Sequence, residues 1–235
     1  MKALVPFGFD YARAIEGLVT PTSDIDDFYE NTNEYSLVLF TGGPDISPHL
    51  YGETSPKGYC FVDDARDSAE ISIFKHAVKN NVKMAGICRG LQLLTVMCCG
   101  RLLHHLDGHS RMTTHSFKCS NTNNNIQVNS LHHQMCIPPK DGYIVGWCGT
   151  RESDRYIGDG DKEVVWTGPE VEALAMPYKQ CVGVQYHPEM MSKTTAGYKW
   201  FYSFIHDFLF TSRKSFMSIY VKGNKYNVLT KSNST

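Results

Sequence analysis

The feature that most constrains the fold is a cysteine between two glycines, at the end of a short apolar run. Residues 82–87 are typical of a buried strand, and the residues after Cys88 have the apolar spacing of a helix. A strand that turns directly into a helix holds the side chain at the turn in a strained, exposed position. Gly86 and Gly90 leave space there for neighbouring backbone. The pattern predicts a nucleophile elbow in an α/β sheet.

The same turn should make the cysteine thiol reactive. The helix expected after Cys88 points its N-terminal N–H groups toward the sulfur, and those dipoles favour the thiolate. The alternative is an inert core thiol, which describes most cysteines beside apolar runs. Packing alone does not explain the two glycines, so we predict that Cys88 is a nucleophile. The eight cysteines of the chain form no C-x-x-C pair, which indicates free thiols in a reducing, cytoplasmic compartment.

Length and charge narrow the class of protein. The chain has 235 residues, of which 42% are hydrophobic, enough for one sizeable α/β core. Its formal net charge of -1 provides no basic excess for nucleic acid, and no apolar run reaches the length of a membrane span. We expect a catalytic domain over residues 1–211 and an extension over 212–235. Alternation around Gly223 and Asn224 predicts a hairpin at 218–229 with a frayed end.

Hydrophobic periodicity predicts alternating strands and helices along the domain. Expected strands cover 1–5, 35–40, 82–87, 126–128, 143–147, 163–166, 171–176 and 181–186, and expected helices cover 11–19, 63–79, the segment after Cys88, and 200–210. The segments 163–166 and 171–176 are expected to form an antiparallel pair.

A histidine and a glutamate follow the predicted strand 181–186, and they have the chemistry that a nucleophile needs. His187 and Glu189 are two residues apart, with Pro188 between them. Alternate residues of an extended strand face the same side, so the imidazole and the carboxylate should lie together. Such a pair can take the thiol proton and later donate it to a leaving amine. Alone, His187 would be interpreted as a surface histidine; beside a Cys88 elbow we interpret it as a base.

Two further clusters of residues invite a functional interpretation. Gly42 and Gly43 end the buried strand 35–40, where backbone N–H groups could face a ligand, although an ordinary turn has the same sequence. A group of histidines lies between Arg101 and Phe117, namely His104, His105, His109 and His115. They lack a tight pair on a helix and a completing cysteine or carboxylate, so we expect no metal site.

Taken in order, these motifs resemble a known family. Residues 86–92, with the distant His187 and Glu189, resemble the class I glutamine amidotransferase pattern. Further motifs, spread over roughly residues 38–210, are similar to the gamma-glutamyl-gamma-aminobutyrate hydrolase branch, whose members are peptidase-like. These are Gly42-Gly43-Pro44-Asp45, Pro48, Tyr51-Gly52-Glu53, Arg66-Asp67, the run Asn-Ser-Leu-His-His-Gln at 129–134, and Val-Gln-Tyr-His-Pro-Glu at 184–189.

The resemblance implies a fold and a set of roles. The fold would be a flavodoxin-like three-layer α/β sandwich with a mixed, mainly parallel central sheet. Cys88 would be the nucleophile, His187 the base and Glu189 its orienter, and no cofactor or metal would be needed. The backbone N–H groups of Gly43 and Arg89 would form the oxyanion hole. The substrate would contact Gly42, Gln92, Ser130, Leu131 and His132.

The expected reaction is hydrolysis of a small gamma-glutamyl-amine conjugate through a thioester, with release of glutamate. One alternative is a glutaminase subunit that supplies ammonia to a separate synthetase or amidoligase partner. The other is a catalytically idle binding protein of the same fold. The protein could form a homodimer, while nucleic acid and membrane partners are not expected. The interval 108–125 and the tail after Thr211 depart from the family pattern, so the amine that leaves is not determined.

Overall fold

The computed structural model describes residues 1–110 and 113–221 of the chain. The strands of this part are β1 (Lys2–Leu4), β2 (Thr20–Thr22), β3 (Tyr35–Phe40), β4 (Lys83–Ile87), β5 (Arg101–Leu103), β6 (His105–Leu106), β7 (Thr113–Cys119), β8 (Thr122–Ser130), β9 (Met135–Ile137), β10 (Tyr143–Cys148), β11 (Tyr156–Gly158), β12 (Lys162–Val164), β13 (Val171–Met176) and β14 (Cys181–Val184). The helices are α1 (Ile25–Glu30), α2 (Asp64–Lys79), α3 (Arg89–Met97), α4 (Ala196–Phe210) and α5 (Arg213–Tyr220).

Nine strands form one central sheet in the order β2-β1-β3-β4-β14-β13-β10-β7-β8. The first five strands of this order pair in parallel, and the remaining pairs are antiparallel. Within the sheet, β13 and β7 therefore run against the other seven strands. The sheet is mixed and mainly parallel, as predicted. Two smaller sheets, β12-β11-β6 and β5-β9, lie beside it.

Helices cover both faces of the central sheet. One hydrophobic cluster joins the sheet to α2 and α3 through residues such as Ile73 and Leu91. A second cluster joins the other face to α4 and α5 through Phe201, Phe204 and Phe216. This arrangement is the predicted flavodoxin-like three-layer sandwich. In residues 1–110 and 113–221, no helix has the length and apolarity needed to cross a bilayer.

One predicted strand pairing is wrong. The segment 163–166 does not pair with 171–176: β12 pairs with β11, whereas β13 pairs with β10 and β14. All six residues of β13 are buried, so this strand needs a neighbour on each side. The three residues of β12 are exposed or half-buried, which suits the edge of a small sheet.

Two other segments differ from their predicted form. The expected helix at 11–19 is a 3₁₀ turn, Phe9–Ile15. The expected hairpin should begin at Ser218, but Ser218 lies within α5, and residues 222–235 fall outside the described part. The side chain of Ser212 caps α5 by accepting a hydrogen bond from Ser215 N, 3.1 Å away. Phe216 and Tyr220 are four residues apart and both pack on Phe204, so this helical face is tied to α4.

Candidate active site

The predicted nucleophile and base are brought together by two neighbouring parallel strands. In β14, Val184 is aligned with Ile87 of β4, so Cys88 and His187 follow at the same edge of the sheet. On the other side of β4, Phe40 of β3 is aligned with Gly86, which places the Gly42–Gly43 loop at this edge as well. The carboxyl ends of parallel strands are where an α/β sheet presents a site. Three predicted site segments therefore meet at one point of the fold.

Cys88 occupies a strained turn, as the glycine spacing predicted, but its side chain is buried rather than exposed. Its backbone has φ 53° and ψ −112°, a conformation that non-glycine residues rarely adopt. A Cβ on Gly86 would lie 2.5 Å from the Gly90 carbonyl oxygen. A Cβ on Gly90 would lie 2.9 Å from the Cβ of Phe40 and would overlap its carbonyl group. Both glycines are therefore required by the close approach of β3, β4 and α3.

His187 and Glu189 form a buried pair. The Nδ1 atom of His187 lies 2.6 Å from Oε1 of Glu189, and the two side chains are 4% and 6% exposed. The reason for this proximity differs from the predicted one, because β14 ends at Val184. His187 instead precedes a 3₁₀ turn, Pro188–Met190, that brings the carboxylate back to the imidazole. The Nδ1 proton therefore lies on the side of Glu189, and Nε2 is left for another partner.

Asn129 fixes the backbone of His187 in a way that the sequence did not indicate. Its Oδ1 accepts from His187 N at 2.8 Å, and its Nδ2 donates to the His187 carbonyl at 2.9 Å. Asn129 lies near the end of β8, 58 residues before His187. A side-chain amide that satisfies both backbone groups of one residue holds that residue in register. Asn129 belongs to the motif at 129–134, but spacing alone did not single it out.

The environment of His187 favours its charged form. Burial opposes the charge, but the neighbouring Cys88 and Glu189 side chains raise the pKa of His187 to about 10. Among the described residues, Nε2 has no hydrogen-bond partner of good geometry. An imidazolium beside a thiolate can supply the proton that a leaving group needs.

The Gly42–Gly43 loop is closely covered by two side chains. A Cβ on Gly42 would lie 3.1 Å from Cζ of Tyr11 and 3.2 Å from Cε1 of His187. A Cβ on Gly43 would lie 3.0 Å from Cζ of Arg66. Burial, with the nearby charges of Glu189 and Cys88, raises the pKa of Tyr11 well above its ordinary value. Tyr11 is a site residue that sequence reasoning missed, since an aromatic residue in an expected helix gave no signal of it.

The other predicted substrate contacts do not all face Cys88. The Leu131 carbonyl lies 4.0 Å from Sγ of Cys88, and Gln92 is buried with its Nε2 3.4 Å from Oε1 of Gln185. The side chains of Ser130 and His132 instead contact buried groups, His109 and Glu172 respectively. In this segment the backbone of Leu131 is thus the part that faces the cysteine.

Arg89, whose N–H was predicted as an oxyanion donor, is anchored by its side chain. The guanidinium is 1% exposed and forms ion pairs with Asp67, at 2.5 Å, and with Glu70. Both carboxylates belong to α2, so the pairs fix the start of α3 against its neighbour. Removal of one partner from a buried pair of this kind costs about 3–5 kcal/mol. The first turn of α3 is therefore held rigidly beside Cys88.

Several known proteins are similar to this chain in sequence. The Peptidase C26 family model matches residues 10–124. The putative glutamine amidotransferase-like protein YvdE of Lactococcus lactis is 30% identical over 190 residues, which are 72% of this chain and 73% of that protein. The putative glutamine amidotransferase Rv2859c of Mycobacterium tuberculosis is 27% identical over 173 residues, 66% of this chain and 50% of that protein.

Solved structures share the fold. A protein from Thermoplasma acidophilum, described as a component of a putative GMP synthase, has a TM-score of 0.58 and 15% identity, over 93% of this chain and 95% of its own. A glutamine amidotransferase from Thermotoga maritima has a TM-score of 0.50 and 14% identity, over 95% and 90%. The chain belongs to the class I glutamine amidotransferase-like superfamily. Its relatives support a hydrolase of the glutamine amidotransferase-like type.

Proposed function

We propose that the protein is a cysteine-dependent hydrolase that cleaves the gamma-glutamyl amide bond of a small gamma-glutamyl-amine conjugate and releases glutamate. The observation that carries this proposal is the position of Cys88. It stands on a left-handed elbow at the end of β4, beside the buried His187–Glu189 pair at the end of β14. An activated nucleophile, a base and a group that orients the base are the components of acyl transfer.

In the proposed first half-reaction, the Cys88 thiolate attacks the gamma-carbonyl carbon of the substrate. The backbone N–H groups of Gly43 and Arg89 stabilise the tetrahedral oxyanion, an effect of about 3 kcal/mol per donor. The C–N bond then breaks, and the imidazolium of His187 gives its proton to the departing amine. The product of this step is a gamma-glutamyl thioester on Cys88 beside a neutral imidazole.

In the second half-reaction, water attacks the thioester. His187 accepts a proton from the water as the C–O bond forms, and the C–S bond breaks to regenerate the thiolate. Glu189 keeps the Nδ1 proton on its own side, so that Nε2 performs both proton transfers. The gamma-glutamyl group is proposed to lie against Gly42, Gln92 and the backbone of residues 130–132, with the side chains of Ser130 and His132 bracing that backbone.

A glutaminase function is the second candidate, since the relatives are named as putative glutamine amidotransferases. The two functions differ in the leaving group, so turnover of the purified chain decides between them. We expect kcat/KM for gamma-glutamyl-aminobutyrate or a gamma-glutamyl polyamine to exceed that for glutamine by at least about tenfold. The alpha-glutamyl isomer of the same conjugate is the matched control and should not be cleaved. Glutamine turnover that appears only with an added synthetase or amidoligase would reject the proposed hydrolase.

The Glu189→Gln variant should change the pH dependence of the reaction. Without the carboxylate, the pKa of His187 should fall from about 10 part of the way toward 6.5. We expect the alkaline limb of the kcat/KM profile to move to lower pH, and kcat to fall about 10–100-fold. The measurement is a pH–rate profile of both proteins with one gamma-glutamyl amide.

The same variant gives an independent stability readout. Because the folded-state pKa is raised, the stabilisation by charged His187 is complete below pH 6.5 and is lost as the pH rises through about 10. The difference in Tm between wild type and Glu189→Gln should therefore shrink over that interval. Glu163→Gln removes a carboxylate that is 66% exposed on β12 and serves as the control. An unchanged alkaline limb in Glu189→Gln would contradict the role of the pair.

A further inference from the structure

A second cluster of ionisable side chains is buried away from the triad. Glu172 of β13 is fully buried, and three imidazole nitrogens surround its Oε1 atom. The distances are 3.2 Å to Nε2 of His115, 3.3 Å to Nε2 of His132 and 3.6 Å to Nδ1 of His109. We call His109, His115, His132 and Glu172 the histidine–glutamate cluster. Its members come from the loop before β7, from β7, from the loop after β8, and from β13.

The polar atoms of this cluster are not satisfied by hydrogen bonds. Among the described residues, neither carboxylate oxygen of Glu172 has a partner of good geometry, nor has Nε2 of His115 or of His132. Buried polar groups are nearly always paired, and an unpaired buried carboxylate is especially costly. Four such atoms in one place indicate a missing partner.

In His132 and His109, one ring nitrogen is hydrogen-bonded outside the cluster, and the other faces Oε1 of Glu172. Nδ1 of His132 lies 2.9 Å from the Gln134 carbonyl, which can only accept, so Nδ1 carries the proton and Nε2 of the neutral ring has a free lone pair. Nε2 of His109 lies 3.2 Å from Oε2 of Glu170, so the proton of the neutral ring lies there and Nδ1 carries a lone pair. The hydroxyl of Ser130 donates to the His109 carbonyl at 2.9 Å and turns an oxygen lone pair toward the same Nδ1, 3.2 Å away.

Lone pairs that face one another across about 3 Å need a proton or a metal cation between them. The ligand atoms of His109, His132 and Glu172 all lie within 4.8 Å of one another. Bonds of 2.0–2.1 Å in tetrahedral geometry place zinc ligands about 3.3–3.4 Å apart. The distances from Oε1 of Glu172 to the ring nitrogens of His132 and His109, 3.3 and 3.6 Å, are close to that value.

The surroundings also fit a metal. Ligating histidines in proteins usually donate their other N–H to a carboxylate or a backbone carbonyl. His109 does so to Glu170, and His132 to the Gln134 carbonyl. The two buried carboxylates, Glu172 and Glu170, together balance the charge of a divalent ion. Sequence spacing could not reveal this set, because its members stand at positions 109, 115, 132 and 172.

We propose that His109, His132 and Glu172 bind one divalent transition-metal ion, of which zinc suits the ligands best. The site is structural. It ties β13 to the loop before β7 and to the loop whose Leu131 carbonyl lies 4.0 Å from Sγ of Cys88. The ion takes no part in acyl transfer and lies outside the triad. The proposal differs from our expectation, based on spacing, that the histidines around His109 form no metal site.

Metal analysis of the tag-free, full-length protein tests the proposal. The chain is stripped with a chelator, loaded with zinc chloride and desalted, and bound zinc is measured by elemental mass spectrometry. We expect about one zinc per chain, and an increase in Tm of about 5–10 °C at a hundredfold excess over Kd. Loading with Co²⁺ should give the visible absorption of a tetrahedral site. Less than about 0.1 zinc per chain with an unchanged Tm would overturn the proposal and indicate protonated imidazoles in the cluster.

Variants locate the ion. Glu172→Gln and His132→Gln should each lose stoichiometric zinc and the zinc-dependent rise in Tm. His104→Gln is the matched control, because His104 is equally buried and contacts two carboxylates, Glu53 and Asp161, outside the cluster. Zinc that stays bound in Glu172→Gln, or is lost in His104→Gln, would reject the assigned ligands. If a variant fails to fold, the wild-type zinc and Co²⁺ measurements still decide, and they do not depend on hydrolase activity.

Discussion

The Cys88→Ser variant is expected to lose at least about 10⁴-fold in kcat/KM toward a gamma-glutamyl amide. A serine hydroxyl is far less acidic than a thiol, so His187 cannot hold it in ionised form. The substitution changes one atom, and the contact recorded for Sγ is a long one, 4.0 Å to the Leu131 carbonyl, so the fold should be preserved. The measurement is amine release by wild type and variant at equal concentration, with circular dichroism to confirm folding.

The chain offers a close control for this substitution. Cys99 is also a free cysteine with a left-handed backbone, φ 69°, but it is exposed at the end of α3, away from the triad. Cys99→Ser should retain full activity. A glutamine-analogue electrophile should label Cys88 in wild type and in Cys99→Ser, as detected by peptide mass spectrometry. Substantial turnover by Cys88→Ser, or absence of the label from Cys88, would assign the chemistry elsewhere or favour an idle binding protein.

The sequence predicted those parts of the fold and the site that depend on local patterns. The elbow is local: two glycines around one cysteine, between an apolar strand and a helix, admit few conformations. The buried strand at 35–40 and the aromatic face of α4 are also local, because the period of the apolar residues defines each of them. His187 and Glu189 were correctly expected to lie together, yet a 3₁₀ turn rather than an extended strand joins them.

What could not be predicted depends on contacts between distant residues. Tyr11 covers Gly42, and Asn129 holds His187, across separations that no spacing rule describes. The partners of β13 follow from its position inside the nine-stranded sheet rather than from the nearest strand in sequence. The histidine–glutamate cluster is another example, since its members stand at positions 109, 115, 132 and 172 and meet only in the folded chain.

Three glycines, Gly183, Gly86 and Gly90, form a column whose close packing makes the turn at Cys88 possible. A Cβ on Gly183 would lie 3.0 Å from Cδ1 of Leu91 and would overlap the Gly86 carbonyl oxygen. Gly86 in turn has no space for a Cβ beside Gly90, and Gly90 has none beside Phe40. Strands β14, β4 and β3 and the first turn of α3 therefore approach more closely than any side chain permits. The consequence is that a single methyl group in this column should affect both stability and catalysis.

The Gly90→Ala variant should be destabilised by about 2–4 kcal/mol and should lose at least about 100-fold in kcat/KM. In an ordinary helix this substitution stabilises by about 1 kcal/mol, so the expected sign is reversed. The reason is that the new Cβ would overlap the carbonyl group of Phe40, which is backbone and cannot rotate away. Relief requires α3 to move from the end of β3, which separates Arg89 N from the Gly42–Gly43 loop and opens the proposed oxyanion hole.

Urea unfolding and steady-state kinetics of Gly90→Ala, beside Gly58→Ala, measure both effects. At Gly58 no atom lies within 4 Å of an added Cβ, but φ is 75°. The Gly58→Ala control should therefore lose only about 1 kcal/mol of stability, the cost of a left-handed backbone, and its turnover should be unchanged. If Gly90→Ala were as stable and as active as wild type, the close approach of α3 to β3 would not be a condition for the elbow. If Gly90→Ala were stable but inactive, the close approach of α3 to β3 would serve catalysis alone. An oxyanion hole depends on donor positions within fractions of an ångström, whereas the hydrophobic core does not.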